Sequence, residues 1–364
     1  MRICYLGDAS SIHTQRWVEW FAARHEVAVI STTPLPGLER HRLGTLPGPE
    51  SRLRLFRSIR ATRRAILCLE PDLVHCHFIN EAGWFGAAAD HHPLVITAWG
   101  SDLYRAPHES RLARYLNPWS LRRADHVTCD SHAQATVIRR WGVPEERLDV
   151  IGWGVDRAEF HPGVDGARLR ACLGVPGDAP TVLSPRRWHP NCNIPAVIDA
   201  HAKLPDGIFL LLKRFTPADR GVAEAVDGAV DSSPAADRIR FVDELGADEL
   251  PELYAAADVV VSLCETDGTP VSVLEAMATG RAVVALENAS LAEWVSEPGG
   301  VLVPRPDPEL VADALRPFLD DGILRARARE HNVAIVACRA DRNAEFERMD
   351  AIYHRLADDR GGAR

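Results

Sequence analysis

Two acids with seven residues between them, Asp267 and Glu275, bracket Gly268-Thr-Pro-Val-Ser-Val-Leu274, and Ala276-Met-Ala-Thr-Gly280 follows. The run before them, Asp258-Val-Val-Val-Ser-Leu-Cys264, is apolar enough for a strand buried on both faces, so the whole reads as strand, tight turn and helix. Thr269 fits the N-cap, Pro270 the first helical position and Gly280 the position just past the last turn. Such a turn aims the amides of Val271, Ser272 and Val273 past the strand's C-terminal end, where a phosphate or diphosphate could be held. A carboxylate beside a phosphate site is electrostatically unfavourable unless it binds hydroxyls or faces a developing cation. A sugar nucleotide supplies both, in its ribose and its anomeric carbon. An ordinary capped turn accounts for the amides alone; it does not account for the paired acids.

The elements that must position these groups follow from the pattern of the chain. Its 364 residues exceed one ordinary core, so two domains are expected. Strand-like runs alternate with helical ones, the mark of parallel βαβ units. In the first half, strands are expected near Arg2–Leu6, Glu26–Ile30, Leu73–His77, Leu94–Ala98, His126–Cys129 and Asp149–Ile151. Helical stretches there include Thr14–Arg24, Ser51–Leu69, Glu109–Arg123 and Ala133–Trp141. After the Gly/Pro-rich passage 154–163 the pattern restarts, with strands near Thr181–Ser184, Ile208–Leu212, Arg238–Val242, Val259–Leu263, Ala282–Ala285 and Val301–Val303. Two doubly wound sheets result, and ligands of such sheets bind beyond the C-terminal strand ends, so a cleft between the domains is the expected site. Residues 1–158 form the expected N-terminal domain and 159–340 the C-terminal one; 341–364 add a last helix, apolar at Phe346, Met349, Ile352, Tyr353 and Leu356 and frayed at 361–364.

Composition narrows the partners. The chain is 46% hydrophobic and 26% charged, as soluble globular proteins are, and no run is long enough for a membrane span. A net charge of −9 argues against nucleic acid. The first 160 residues nevertheless carry 20 Arg against 18 acids, which leaves the excess of acids to the rest and favours an anionic acceptor on the N-terminal half. The stretch Ser51–Leu69 sets arginines 52, 54, 57, 60, 63 and 64 against Leu55, Ile59, Ile66 and Leu69. It can touch an anionic membrane weakly, or pack on the sheet with a solvated basic face. The N-terminus lacks the regions of a signal peptide, and none of the eight cysteines forms a Cys-x-x-Cys pair; reduced thiols in the cytoplasm are the simplest reading. His75-Cys-His77 places both histidines on one strand face and offers no fourth ligand, so no metal site is expected.

Several separated segments together carry a resemblance: Ile96-Thr-Ala-Trp-Gly-Ser-Asp-Leu103, Val150-Ile-Gly-Trp-Gly-Val-Asp156 with Phe160-His-Pro162, Leu183-Ser-Pro-Arg-Arg187, the Asp267–Gly280 motif, Ala292-Glu-Trp-Val295 and Gly300-Val-Leu-Val303. From Met1 to about Leu356 the chain resembles a bacterial family 4 retaining glycosyltransferase of the GT-B fold. The resemblance implies two Rossmann-like domains, an acceptor-binding N-terminal one and a nucleotide-sugar-binding C-terminal one, with the last helix returning to the first. It implies sugar transfer from a nucleoside-diphosphate donor, with UDP or GDP as its nucleotide, retaining anomeric configuration and using neither metal nor cofactor. Glu275 then matches the acid that binds the donor ribose. Asp267 matches the acid near the transferred sugar, where the family usually has Glu. Arg187 matches the phosphate-binding arginine, with Arg186 adjacent. The family's partner lysine aligns with Cys192, so Lys213, or Arg214 beside it, is expected to supply the second positive charge. Base contacts are expected around Val242 to Leu245, Asp243 included.

In the N-terminal half, Gly7-Asp-Ala-Ser-Ser11-Ile-His13 replaces the family's glycine-rich turn, with amides near Ser10 and Ser11 expected to face the diphosphate. His13, Trp99 and Asp102 are the acceptor candidates; a family histidine falls close to Trp99 and is absent here. His13 serves equally as a helix cap, and Trp99 equally as core. Two other functions fit the same residues: a GT-B epimerase acting on the nucleotide sugar itself, and a non-catalytic sugar-nucleotide-binding partner.

Overall fold

A computed structural model describes residues 1–31, 42–45, 52–214, 219–243, 245–246 and 249–362. The chain divides into two compact units, Met1–Trp153 with Asn343–Arg364, and Gly154–Arg342.

In the first unit the strands are β1 (Arg2–Leu6), β2 (Glu26–Ser31), β3 (Arg42–Thr45), β4 (Leu73–His77), β5 (Leu94–Ala98), β6 (His126–Cys129) and β7 (Leu148–Val150). They form one sheet in the order β3-β2-β1-β4-β5-β6-β7, with every pairing parallel. β4 and β5 are buried at every residue, as strands covered by helices on both faces must be. β3 was not expected from sequence; it is four residues long and carries a glycine, too little pattern to read.

The second unit holds β8 (Thr181–Ser184), β9 (Phe209–Lys213), β10 (Ile239–Val242), β11 (Val259–Ser262), β12 (Ala282–Leu286) and β13 (Gly300–Val303). Its order is β10-β9-β8-β11-β12-β13, again all parallel. The chain enters and leaves this unit side by side, through a parallel bridge between Val155 and Asp341. Gly154 permits it: its φ is +59°, and a Cβ there would lie 2.5 Å from the Cα of Arg342.

The first helix runs Ile12–Ala22, two residues earlier than expected, which makes His13 helical. The helix Arg52–Leu69 buries Ser58, Thr62 and Ile66, an i, i+4, i+8 stripe, and leaves Phe56 and Leu67 exposed beside Arg57, Arg60, Arg63 and Arg64. Ser51 and the side chains of Arg52, Arg54 and Leu55 lie outside the described residues. No helix among the described residues is long and apolar enough to cross a membrane.

The last helix, Arg342–Gly362, buries Phe346, Met349, Ile352 and Tyr353 at the spacing the sequence predicts. It continues through Gly361 and Gly362; Ala363 and Arg364 lie outside the described residues. Tyr353 ties it into the first unit. The tyrosine hydroxyl bonds to His75 Nδ1 at 2.5 Å, accepts from Trp17 Nε1 at 3.3 Å and donates to Tyr5 at 3.3 Å. His75 Nε2 in turn meets Thr97 Oγ1 at 2.6 Å. Removing the hydroxyl leaves buried polar atoms with no substitute. Tyr353→Phe should therefore cost about 2 kcal/mol of stability, read as a lower urea midpoint with unchanged slope.

Candidate functional site

In the second unit the strand order reverses direction between β8 and β11, the point at which ligands of doubly wound sheets bind. Arg186 follows β8 and Asp267 follows β11, so the switch point brings the two together. Arg186 donates from Nη2 to Asp267 Oδ2 at 2.7 Å, from Nη1 to Ser272 Oγ at 2.7 Å and from Nε to Cys264 Sγ at 3.0 Å. The two charged side chains are only 14% and 15% exposed, so this is a largely desolvated pair. Asp267 also accepts from the amide of Gly268, while its carbonyl accepts from Ser290.

The neighbouring Arg187, expected at the phosphate, is exposed. The turn differs from expectation. The helix begins at Val271 with Pro270, not Thr269, as its cap. Pro270, at φ −78° and ψ 69°, makes an inverse γ-turn that folds the Val271 amide onto the Thr269 carbonyl at 2.8 Å. The Val273 amide donates to the Pro270 carbonyl at 2.8 Å. Two of the three amides expected to hold phosphate are thus already taken. Ser272 contributes its hydroxyl, to Arg186.

Glu275 lies on the same helix, 4% exposed, and accepts from the Tyr254 hydroxyl at 2.7 Å. Tyr254 was not singled out from sequence, since nothing local distinguishes it from a core aromatic. Lys213 ends β9, next to β8, at the same sheet edge and half-buried. Arg214 beside it pairs with Asp243 at 3.0 Å and lies over the Phe241 ring at 4.4 Å. Asp243 is exposed and Leu245 half-buried against the core; Glu244 lies outside the described residues. Cys192 sits against Cys264, which donates to it across 2.7 Å. That bond, against the opposing effect of burial and with help from the Arg186 charge, draws the Cys192 thiol down to about 7.

The first unit has its own switch point, between β1 and β4, and a cavity of about 380 Å³ lies there. Gly7, Asp8, His77, Phe78, Glu81 and Trp99 are among its lining. Phe78 (φ 82°) and Glu81 (φ 54°) both hold the left-handed region, strain that collects where a loop is shaped for a task. Neither was expected from sequence. Burial, seconded by the charge of His13, pushes His77 down to about 3, and both its ring nitrogens lack a hydrogen-bond partner among the described residues. Trp99 is half-buried, edge-on to Trp153 at 5.0 Å and to His13 at 6.1 Å, and its Nε1 has no hydrogen-bond partner among the described residues. His13 and Trp99 are therefore brought together beside the cavity.

Asp102 is not available to an acceptor. It is fully buried and accepts from the amides of Ile79, Trp99 and Gly100. Burial nonetheless raises it to about 6, with those amides opposing. Ser11 starts the first helix without capping it through its side chain, and its amide turns to the Asp8 carbonyl at 3.3 Å instead of outward.

These placements fix the order of stabilities. Asp102→Ala strands three amides and should cost about 3 kcal/mol. Arg186→Ala strands the Asp267 carboxylate and should cost a similar amount, roughly 3 kcal/mol, whereas Arg187→Ala should stay within about 0.5 kcal/mol of the parent. Thermal melts of the three variants check the order; an Arg187 variant as unstable as the Arg186 one would contradict it.

Comparison with known proteins agrees with this architecture. Residues 2–131 match a family described as glycosyl transferase 4-like, and residues 219–321 match glycosyl transferases group 1. A D-inositol 3-phosphate glycosyltransferase of Corynebacterium efficiens is 31% identical over 71% of this chain, which spans 65% of that relative's length. A protein of the same name from Kineococcus radiotolerans is 27% identical over 80% of this chain and 73% of its own. Among solved structures, Anabaena HepE in complex with UDP and glucose superposes with a TM-score of 0.82 at 21% identity, covering 98% of this chain and 100% of that one. Sucrose-phosphate synthase from Thermosynechococcus elongatus gives 0.84 at 22% identity, covering 98% and 99%. The chain belongs to the family 4 glycosyltransferases and has their GT-B fold.

Proposed function

We propose that the protein transfers a sugar from a nucleoside-diphosphate sugar, of UDP or GDP, to an acceptor with retention of anomeric configuration. The observation that carries the reading is the set Arg186, Asp267, Ser272 and Glu275 gathered at the switch point between β8 and β11. The donor's diphosphate lies over this edge, with Arg186 and Lys213 supplying positive charge as the leaving oxygen departs. Exposed Arg187 reaches the outer phosphate. Glu275, its rotamer fixed by Tyr254, accepts from the donor's ribose hydroxyls. Asp267 steadies the cationic sugar, and the leaving phosphate takes the acceptor's proton as it attacks from the same face. No step requires a metal.

The acceptor belongs to the cavity of the first unit, bordered by Trp99 and His77. We read it as anionic, on account of the arginines of the first 160 residues and the basic exposed face of Arg52–Leu69, which also suits weak contact with an anionic membrane. Raised salt should then increase the acceptor's Michaelis constant while leaving the donor's less affected.

The first test is thermal stabilisation by UDP, GDP, ADP and dTDP, each with and without magnesium. A nucleotide at 100 times its dissociation constant adds about 2.7 kcal/mol. A magnesium-independent rise with UDP or GDP, lost in Glu275→Ala, is the expected result. No rise with any of the four would remove the main support for the reading.

A further inference from the structure

We propose that Cys192 and Cys264 are a reversible dithiol–disulfide pair, oxidised by hydroperoxides, whose state sets the charge beside Arg186. The two sulfurs are 2.7 Å apart although 72 residues separate them in sequence. Their backbones are held side by side by neighbours and not by the thiols themselves. The Asn191 carbonyl accepts from the Glu265 amide at 2.9 Å, Asn191 Nδ2 donates to the Thr266 carbonyl at 2.8 Å, and Asn193 Nδ2 donates to the Leu263 carbonyl at 3.0 Å. Closing a bond between the sulfurs therefore demands no approach of distant segments.

The pair is also chemically asymmetric. Cys264 donates its proton toward Cys192, while Arg186 Nε donates to Cys264. Cys192 is the sulfur drawn toward thiolate, and at 5% exposure against none for Cys264 it is the one a small peroxide can reach. Its thiolate takes one oxygen of hydrogen peroxide, breaking the O–O bond, and becomes a sulfenic acid as hydroxide leaves. The Cys264 thiol then attacks the sulfenic sulfur; the S–S bond forms, the S–O bond breaks and water departs with the thiol proton. Two thiols are oxidised by two electrons while one peroxide becomes two waters. A dithiol reductant reverses the bond by exchange.

The consequence for ligand binding rests on the reading of this edge as a diphosphate site. In the reduced form at pH 8, above the value of about 7 to which Cys192 is drawn, Arg186 faces both the Asp267 carboxylate and a Cys192 thiolate; in the disulfide only the carboxylate remains. One negative charge removed about 10 Å from a bound anion, at an effective dielectric near 20, is worth roughly tenfold in affinity. The oxidised protein should therefore bind UDP or GDP about tenfold more tightly at pH 8.

The experiment uses the full chain with the exposed Cys68, Cys172 and Cys338 changed to serine. Protein treated with hydrogen peroxide is alkylated, digested and mapped by mass spectrometry, then titrated with UDP and with GDP in both redox states. The expected map shows one cross-linked peptide pair through Cys192 and Cys264 that dithiothreitol dissolves. Cys264→Ser should instead leave Cys192 open to dimedone; the parent map decides alone if that variant does not fold. Cys192 alkylated or overoxidised with Cys264 untouched overturns the pair. Equal nucleotide affinity in both states overturns the charge effect. If neither state binds UDP or GDP, the nucleotide reading of the site falls while the mapped disulfide stands.

Discussion

A parallel sheet sends all its strand C-termini to one edge, and where the strand order reverses no crossover helix covers that edge. The groups of the candidate site in the second unit are gathered by this constraint. β8 and β11 are neighbours in the sheet but far apart in sequence, so the loop after each must meet the other. Arg186 emerges from one and Asp267 from the other. A guanidinium taken mostly out of water needs acceptors for its donors, and here one connection, from Cys264 to Ser272, supplies all three named partners. The cation therefore organises the loop as much as the loop positions the cation.

A second ring of hydrogen bonds keeps that loop from drifting. Asn288 Nδ2 donates to the Cys264 carbonyl at 2.9 Å and Ser290 to the Asp267 carbonyl at 2.9 Å, both from the segment after β12. Asn191 binds Thr266 on the opposite side through both its amide nitrogen and its oxygen. The two neighbouring strand ends, those of β8 and β12, thus fix the backbone that carries the acid. Sites held this way lose little free energy to reorganisation when charge develops, which is what stabilising a departing diphosphate demands.

How much of this was legible in the sequence depended on whether the signal was local. Strands such as Leu73–His77, Leu94–Ala98 and His126–Cys129 announce themselves by short apolar runs between turn residues, and the structure places them at the expected residues. The acid pair of the βα turn was equally plain. Which of two adjacent arginines reaches Asp267 was not, because alternation along an irregular loop past a strand end carries no period. The amides failed for a different reason: proline at the cap permits either a first helical turn or an inverse γ-turn, and only the backbone distinguishes them. Asp102 was an acceptor candidate in the sequence, yet three amides from 79, 99 and 100 converge on it. Convergence of that kind depends on tertiary placement, as does the meeting of Cys192 with Cys264.

The thiol at 192 also explains how charge is divided across the edge. A lysine in that place would bring a second cation against Arg186, with the same acceptors to share. A thiol instead accepts from Cys264, which itself accepts from Arg186, so Arg186 is tied inward to Asp267, Ser272 and Cys264. Under the proposed function, positive charge for the diphosphate then has to come from outside this cluster as well. Arg187 is exposed one residue further along, and Lys213 ends the neighbouring strand with Arg214 just past it. The cations so lie on the β8–β9 side and the acids on the side of β11 and its helix. A donor placed across the edge meets charge of the right sign at each end, its diphosphate toward the first and its sugar and ribose toward the second.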